Sequence, residues 1–304
     1  MAEESSRQGL RARARDAGLT KAVRALPRRL GYDLVRRHYY SPIPDLDRLP
    51  PETWTREDPL AGVRFDVEDG LRFVREELAD YIAEYTPPRE PTGNPRDFFM
   101  SNTLYESVDA ELLYGMVRRF APPRIVELGS GMSTLVIADA RERGGQTDRA
   151  GHVVYDPFIR DDLGAALREV ADTRSVSAVD VPMEDFRVLE SGDMLFVDTT
   201  HTVKTGSEVN RIVLEVLPSL APGVIVHIHD IYLPWEYPRE FLEERRFFWA
   251  EQYLLQAFLA FNPEFEILVG AHALARKFPD ETRELIPSAG TGIAPSAFWL
   301  RRTG

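Results

Sequence analysis

From about residue 96 onward, short runs of β-branched residues alternate with stretches whose apolar positions recur every three or four residues. The short runs are "RIVEL" (124–128), "HVVYD" (152–156), "SVSAVD" (175–180), "DMLFVD" (193–198), "VIVHIH" (224–229), "FEILVG" (265–270) and "AFWLRR" (297–302). Between them, "VDAELLYGMVRRF" (108–120), "STLVIADARERG" (133–144), "DDLGAALREV" (161–170), "GSEVNRIVLEVLP" (206–218) and "RRFFWAEQYLLQAFLAF" (245–261) carry the helical period. The last of these reads as one long, mostly buried helix. Thr205 with Glu208 three residues later reads as a capping box. Strands separated by helices imply parallel βαβ units with right-handed crossovers. The pattern therefore predicts an α/β fold: a seven-stranded, mostly parallel sheet with helices on both faces.

Before residue 96 the pattern is helical and irregular. Residues 1–40 hold a loose apolar stripe, "DGLRFVREELADYIAEY" (69–85) reads as a short helix, and "SPIPDLDRLPPETW" and "TPPREPTGNPRDFF" are too rich in proline for regular structure. The expected division is an N-terminal helical and Pro-rich extension, 1–95, serving as a lid or homo-oligomer contact, and a main domain, 96–304.

Composition narrows the chemistry. The chain has 304 residues and no cysteine, so disulfides and thiolate metal sites are excluded and any metal needs N and O ligands. A net charge of −12 argues against nucleic acid as a partner. Residues 1–40 run the other way, with ten Arg or Lys against four Asp or Glu, and Arg11, Arg13, Arg15, Arg28, Arg29, Arg36 and Arg37 form a basic arm that reads as a solvated face. There is no apolar run of membrane-span length and no apolar leader, so a cytoplasmic location is expected.

One turn is rich in glycine. In "RIVELGSGMSTLVIADA" a strand meets Gly129 and Gly131, and a helix opens near Ser133. Glycines let the backbone turn tightly and approach a ligand, and a helix start offers free N–H groups. Two ligands compete for this turn. A dinucleotide phosphate wants a third glycine, where Thr134 stands, and sits badly beside the acidic Glu127. A nucleoside with a cationic amino-acid portion, such as S-adenosylmethionine, tolerates Glu127 better. Asp156, 25 residues after Gly131, ends the next strand where a carboxylate can accept ribose hydroxyls.

The next two strand ends are polar. Asp198 closes one and His229 with Asp230 the other, and His201 follows Asp198 by three residues. Adjacent parallel strands bring such ends within ~5–10 Å, at the carboxyl edge where α/β sheets bind ligands. His227 shares the sheet face of His229 one layer deeper and is left between support and ligation. Tyr232, Trp235 and Tyr237, in "IYLPWEYPREF", are expected to cover an acceptor pocket.

The segments "VELGSGMST", "VVYDP", "VPMEDF" and "DMLFVDTTH", in that order, resemble the class I S-adenosylmethionine-dependent methyltransferases over about residues 100–304. "FVDTTHTVKTGSEVN" and "PGVIVHIHDIYLPWEYP" are similar to its small-molecule group. The resemblance implies a Rossmann-like sheet and S-adenosylmethionine as methyl donor. Glu127, Gly129, Ser130 and Gly131 would border the methionine part, Asp156 the ribose, and Met183 and Glu184 the adenine. Ser133 stands where the family often has a third glycine, as in catechol-type members. It also implies a metal set of Asp198, His229 and Asp230, with Asp198 beside the donor and His201 at the position of the catalytic base. His229 would replace a hard carboxylate, which favours Mn²⁺, Fe²⁺ or Zn²⁺ over Mg²⁺. The expected activity is methylation of a small-molecule acceptor, a hydroxyl of a secondary metabolite or sugar, with catalytic His201, Asp198 and His229. Two alternatives stay open. One is a metal-dependent enzyme of oxygen or lyase chemistry on the same fold, using Asp198, His229 and His201. The other is a non-catalytic S-adenosylmethionine-binding protein.

Overall fold

The computed structural model describes residues 29–32 and 38–304. The expected helix over 1–40 and its basic arm lie largely outside them. Contacts divide the chain into residues 1–49 and 50–304. The helical segment at 67–84, expected with the extension, belongs to the second unit, where Leu71, Val74, Leu78 and Ile82 enter the same core as the sheet. It runs as Val67–Phe73, a π-type turn at Val74–Leu78, and Ala79–Glu84.

Seven strands form one sheet: β1 (Ile125–Leu128), β2 (His152–Tyr155), β3 (Asp172–Arg174), β4 (Met194–Val197), β5 (Ile225–Ile228), β6 (Phe265–Gly270) and β7 (Phe298–Arg302). Their order is β3-β2-β1-β4-β5-β7-β6. All neighbours pair in parallel except β7, which is antiparallel to both β5 and β6. The chain winds outward from β1 to β3, then returns to β4 on the other side of β1. That reversal opens a crevice at the carboxyl ends of β1 and β4.

The β-branched runs are nearly continuous because both sheet faces are covered. Val126, Leu128, Leu195, Val197, Val226 and Ile228 face one core layer. Ile125, Met194, Phe196, Ile225 and Trp299 face the other. Successive strand residues point to opposite faces, so Glu127 and His227 are committed to the second layer.

Three local expectations need correction. The third strand is Asp172–Arg174, not 175–180. The carbonyls of Ala178, Val179 and Val181 accept from the Arg211 guanidinium instead of a neighbouring strand. The long helix over 245–261 exists only as Glu251–Leu259. Arg246 has φ +60°, and the N–H groups of Ala250 and Glu251 are turned to the carbonyl of His201 at 2.9 and 3.2 Å. The Thr205–Glu208 capping box does not form. Ser207 is the N-cap, its Oγ accepting from Asn210 N–H, while the Glu208 carboxylate takes the N–H and hydroxyl of Thr200. Among the described residues no helix is long and apolar enough to cross a membrane.

Candidate active site

The glycine turn follows β1. Gly129 has φ +89°, and a Cβ there would lie 1.9 Å from the carbonyl oxygen of Asp198. The turn is thus pressed against the end of β4 with no room for a side chain. Gly131 is the opposite case: a Cβ there would meet nothing within 4 Å. Ser130 donates its N–H and its hydroxyl to Asp156 Oδ2, at 3.0 and 2.5 Å. Asp156 Oδ1 accepts from Phe158 N–H at 2.7 Å. Asp156 therefore ties the turn to the end of β2 and keeps a half-exposed edge.

Glu127 does not border that crevice. It is completely buried one residue inside β1. Oε1 accepts from the hydroxyls of Ser133 and Thr134, at 2.8 and 3.0 Å, and Oε2 pairs with His152 Nε2 at 2.7 Å. A buried carboxylate must be matched by donors, and here the first turn of helix Met132–Arg143 supplies two of them. Ser133 is consumed by the same contact. Thr134, absent from the expected set, supports the turn with it.

Met183 and Glu184 open the helix Met183–Arg187 beside β2, Met183 half-buried and Glu184 exposed. The next residue, Asp185, accepts the Tyr155 hydroxyl at 2.5 Å. Burial, and then that hydrogen bond, push Tyr155 up to about 12. Tyr155 and Asp185 went unnoticed because one looks like a core residue and the other like a surface one.

The strand ends converge on His201. Its Nε2 lies 3.3 Å from Asp198 Oδ1 and 3.2 Å from Asp230 Oδ2, and its Nδ1 lies 2.8 Å from Glu251 Oε2. Both His201 and Asp230 adopt left-handed backbone, with φ +55° and +56°. Two non-glycine residues in that region at one site mark a functional constraint. Burial alone would lower the pKa of His201, but Asp198, Glu251 and Asp230 together hold it well above the usual histidine value. Asp198 is opposed by its own burial, yet His229 and then His201 bring it down to about 2. With no cation among them, the three carboxylates favour the charged form of His201.

His229 stands apart. Its ring lies 4.9 Å from that of Tyr105, its Nε2 is 3.5 Å from Ser296 Oγ, and its buried Nδ1 has no partner. Ser296 in turn donates its hydroxyl to Asp230 at 3.2 Å. Asp109, with its carboxylate on the N–H groups of Ser296 and Ala297, backs this group. Burial pushes Asp109 up to about 6 against the pull of His229. Neither Tyr105 nor Asp109 was foreseen.

His227 belongs to the core. It stacks on Phe196 at 4.1 Å and meets Trp299 at 4.5 Å, and both ring nitrogens are buried without partners. Burial, and then His229, hold it well below the usual histidine value, so it is neutral. The three aromatics expected over an acceptor are all buried. Tyr232 donates its hydroxyl to Asp230 at 3.1 Å. Tyr237 accepts from Gln252 N–H at 3.0 Å. Trp235 carries the Arg276 guanidinium over its ring at 4.2 Å. They support the loop after β5, and Trp235 also borders a cavity with Leu233, Glu236 and Tyr253.

Residues 126–231 match the family described as "Methyltransferase domain". The match covers 106 of the chain's 304 residues. The match runs from β1 to just beyond β5, so it includes the glycine turn, Asp156, Asp198, His201 and Asp230. An uncharacterized protein of Archaeoglobus fulgidus is 27% identical over 170 residues, covering 53% of this chain and 73% of that protein. The S-adenosylhomocysteine-bound methyltransferase PaMTH1 of Podospora anserina is similar at 16% identity and TM-score 0.41, over 80% of this chain and 91% of that one. The apo structure of CmcI-N160 is similar at 18% identity and TM-score 0.40, over 79% and 97%.

The open space at Gly131 and the half-exposed Asp156 edge lie together at the turn, and both fit a nucleoside. With Glu127 buried, the ionised Asp198, its side chain 34% exposed and its backbone against Gly129, is the carboxylate suited to a cationic ligand. The metal expectation changes in composition. Among the described residues, one group of acidic or imidazole side chains could hold an ion: Asp198, His201 and Asp230, with ligand atoms within 4.8 Å of one another. His201 takes the place given to His229. Two carboxylates and one imidazole suit Mn²⁺ or Zn²⁺. Among the described residues, Asp198, His229 and His201 do not form such a group.

Proposed function

We propose that this protein transfers a methyl group from S-adenosylmethionine to a hydroxyl of a small molecule held beside Asp198, with a divalent cation at Asp198, His201 and Asp230. The observation that carries this is the contact between Gly129 and Asp198. It supports the reading because the glycine turn and the acid–imidazole cluster lie against each other at the sheet's switch point.

When bound, the donor supplies a methyl group on a sulfonium, ready for in-line displacement. A cation held by the three residues would acidify and orient the acceptor hydroxyl. The remaining work falls to the chain. Asp198, kept ionised, faces the cationic part of the donor. Asp156 and Ser130 fix the turn that holds the nucleoside. The acceptor must stand ~3–3.5 Å from the methyl group, which requires rigid strand ends. His229 takes the acceptor proton at Nδ1. Its Nε2–H is directed to Ser296 Oγ, and Ser296 donates onward to Asp230, which leaves the Nδ1 lone pair free.

The test is calorimetric titration of the whole chain with S-adenosylhomocysteine, followed by transfer of labelled methyl to a panel of catechol and sugar acceptors with Mn²⁺ present. One bound S-adenosylhomocysteine per chain, and label transfer reduced in His229→Ala, are expected. Failure to bind S-adenosylhomocysteine overturns the assignment. Binding without transfer to any acceptor returns the non-catalytic alternative.

A further inference from the structure

We propose that Glu251 is the positioning residue of the strand-end cluster: its carboxylate keeps the His201 Nδ1–H engaged, so that Nε2 alone is turned to Asp198 and Asp230. This rests on the cluster being a cation site and deepens that assignment.

Glu251 is completely buried, 50 residues away from His201 in sequence. Oε2 lies 2.8 Å from His201 Nδ1, and Oε1 has no hydrogen-bond partner. Among the described residues its one ion pair is with His201. Dehydrating a carboxylate costs several kcal/mol, so a buried one with a single partner is retained for that partner. Its position in the first turn of helix Glu251–Leu259 offsets part of this cost, since helix N-termini favour negative charge.

The contact fixes more than a charge. A carboxylate can only accept, so the proton of the pair sits on Nδ1. The same helix start holds the backbone of His201 through the N–H groups of Ala250 and Glu251. Trp249 closes on the ring at 4.6 Å. Backbone, ring plane and Nδ1 are therefore all set from one helix terminus, and Nε2 has no freedom to turn away from the two aspartates. Imidazoles that bind metals are commonly oriented by a carboxylate on the second nitrogen. Glu251 touches neither acceptor nor donor and acts through His201.

Two readouts test this on the full chain. Mn²⁺ affinity is measured by electron paramagnetic resonance for the native protein, Glu251→Ala and Glu251→Gln, with S-adenosylhomocysteine affinity as the check of folding. A fall of about 10–100-fold is expected in Glu251→Ala and a smaller one in Glu251→Gln, with S-adenosylhomocysteine binding retained. The second readout is the exchange-protected Nδ1–H resonance of His201 in protein labelled with ¹⁵N-histidine. It should be present in the native protein and in Glu251→Gln, and lost in Glu251→Ala. Unchanged Mn²⁺ affinity in both variants, or a resonance that survives Glu251→Ala, overturns the role. If the native protein binds no Mn²⁺, the cation site falls and the resonance alone decides. Its absence from the native protein, or its persistence in Glu251→Ala, then overturns the positioning role by itself.

Discussion

Gly129→Ala should damage two sites with one methyl group. The added Cβ would lie 1.9 Å from the Asp198 carbonyl oxygen, and backbone at φ +89° is strained for any L side chain. The closest tolerable approach is near 3.0 Å, so the end of β4 must retreat by about 1 Å. If the backbone holds, the left-handed conformation costs about 1–2 kcal/mol. The overlap adds about 1–3 kcal/mol. If the backbone yields, the cluster moves, and a displacement of that size costs about 100-fold in turnover. Either way, S-adenosylhomocysteine affinity and Mn²⁺ affinity should fall together. Gly131→Ala is the control, because its Cβ meets no protein atom. It should weaken S-adenosylhomocysteine, leave Mn²⁺ binding unchanged, and cost little stability. Calorimetry with each ligand and urea denaturation read all three quantities. A folded Gly129→Ala protein with native Mn²⁺ affinity would refute the claim that turn and cluster form one site.

Other consequences reach further into the fold. His272 is held down to about 4 by burial and then by Arg276, so protonation favours the unfolded chain. Its contribution should be complete above pH 6.5 and be lost as pH falls to about 4, a loss of roughly 3 kcal/mol. Urea midpoints compared at pH 7 and 4.5 should show the slope, and His272→Leu should flatten it; an unchanged slope contradicts the assignment. His227→Leu should raise stability by about 1–3 kcal/mol, because it removes two buried, unpartnered ring nitrogens, and should leave both ligand affinities alone. A clear loss of stability there would mean that His227 has a partner. Tyr155→Phe should weaken S-adenosylhomocysteine several-fold by freeing Asp185, and with it helix Met183–Arg187, from β2, a loss of about 1 kcal/mol. Native affinity in that variant would detach Met183 and Glu184 from the adenine.

The hydrophobic runs revealed six of the seven strands, because strands buried on both faces must be continuously apolar. The edge strand Asp172–Arg174 escaped, since its one partner demands little of its side chains. The glycine turn was legible from Gly129 and Asp156 alone. Glu127 was misread because sequence shows its place near a strand end but not its direction, and a residue inside β1 faces the core. The same holds for Tyr232, Trp235 and Tyr237. The exchange of His229 for His201 had a different cause. Spacing along the chain put His229 beside Asp230, whereas the left-handed turns at His201 and Asp230 decide which imidazole meets the aspartates. Glu251 left no local signal, because its meaning lies in a contact made across 50 residues.

The central claim is that a nucleoside turn and a cation site share the ends of β1 and β4. Crystals grown with S-adenosylhomocysteine and Mn²⁺, with diffraction recorded at the manganese edge, test it most directly. One anomalous peak bounded by Asp198, His201 and Asp230, with the nucleoside over Gly131 and Asp156, is the predicted result. A nucleoside bound elsewhere, or a peak bounded by His229 with His201 turned away, would contradict it.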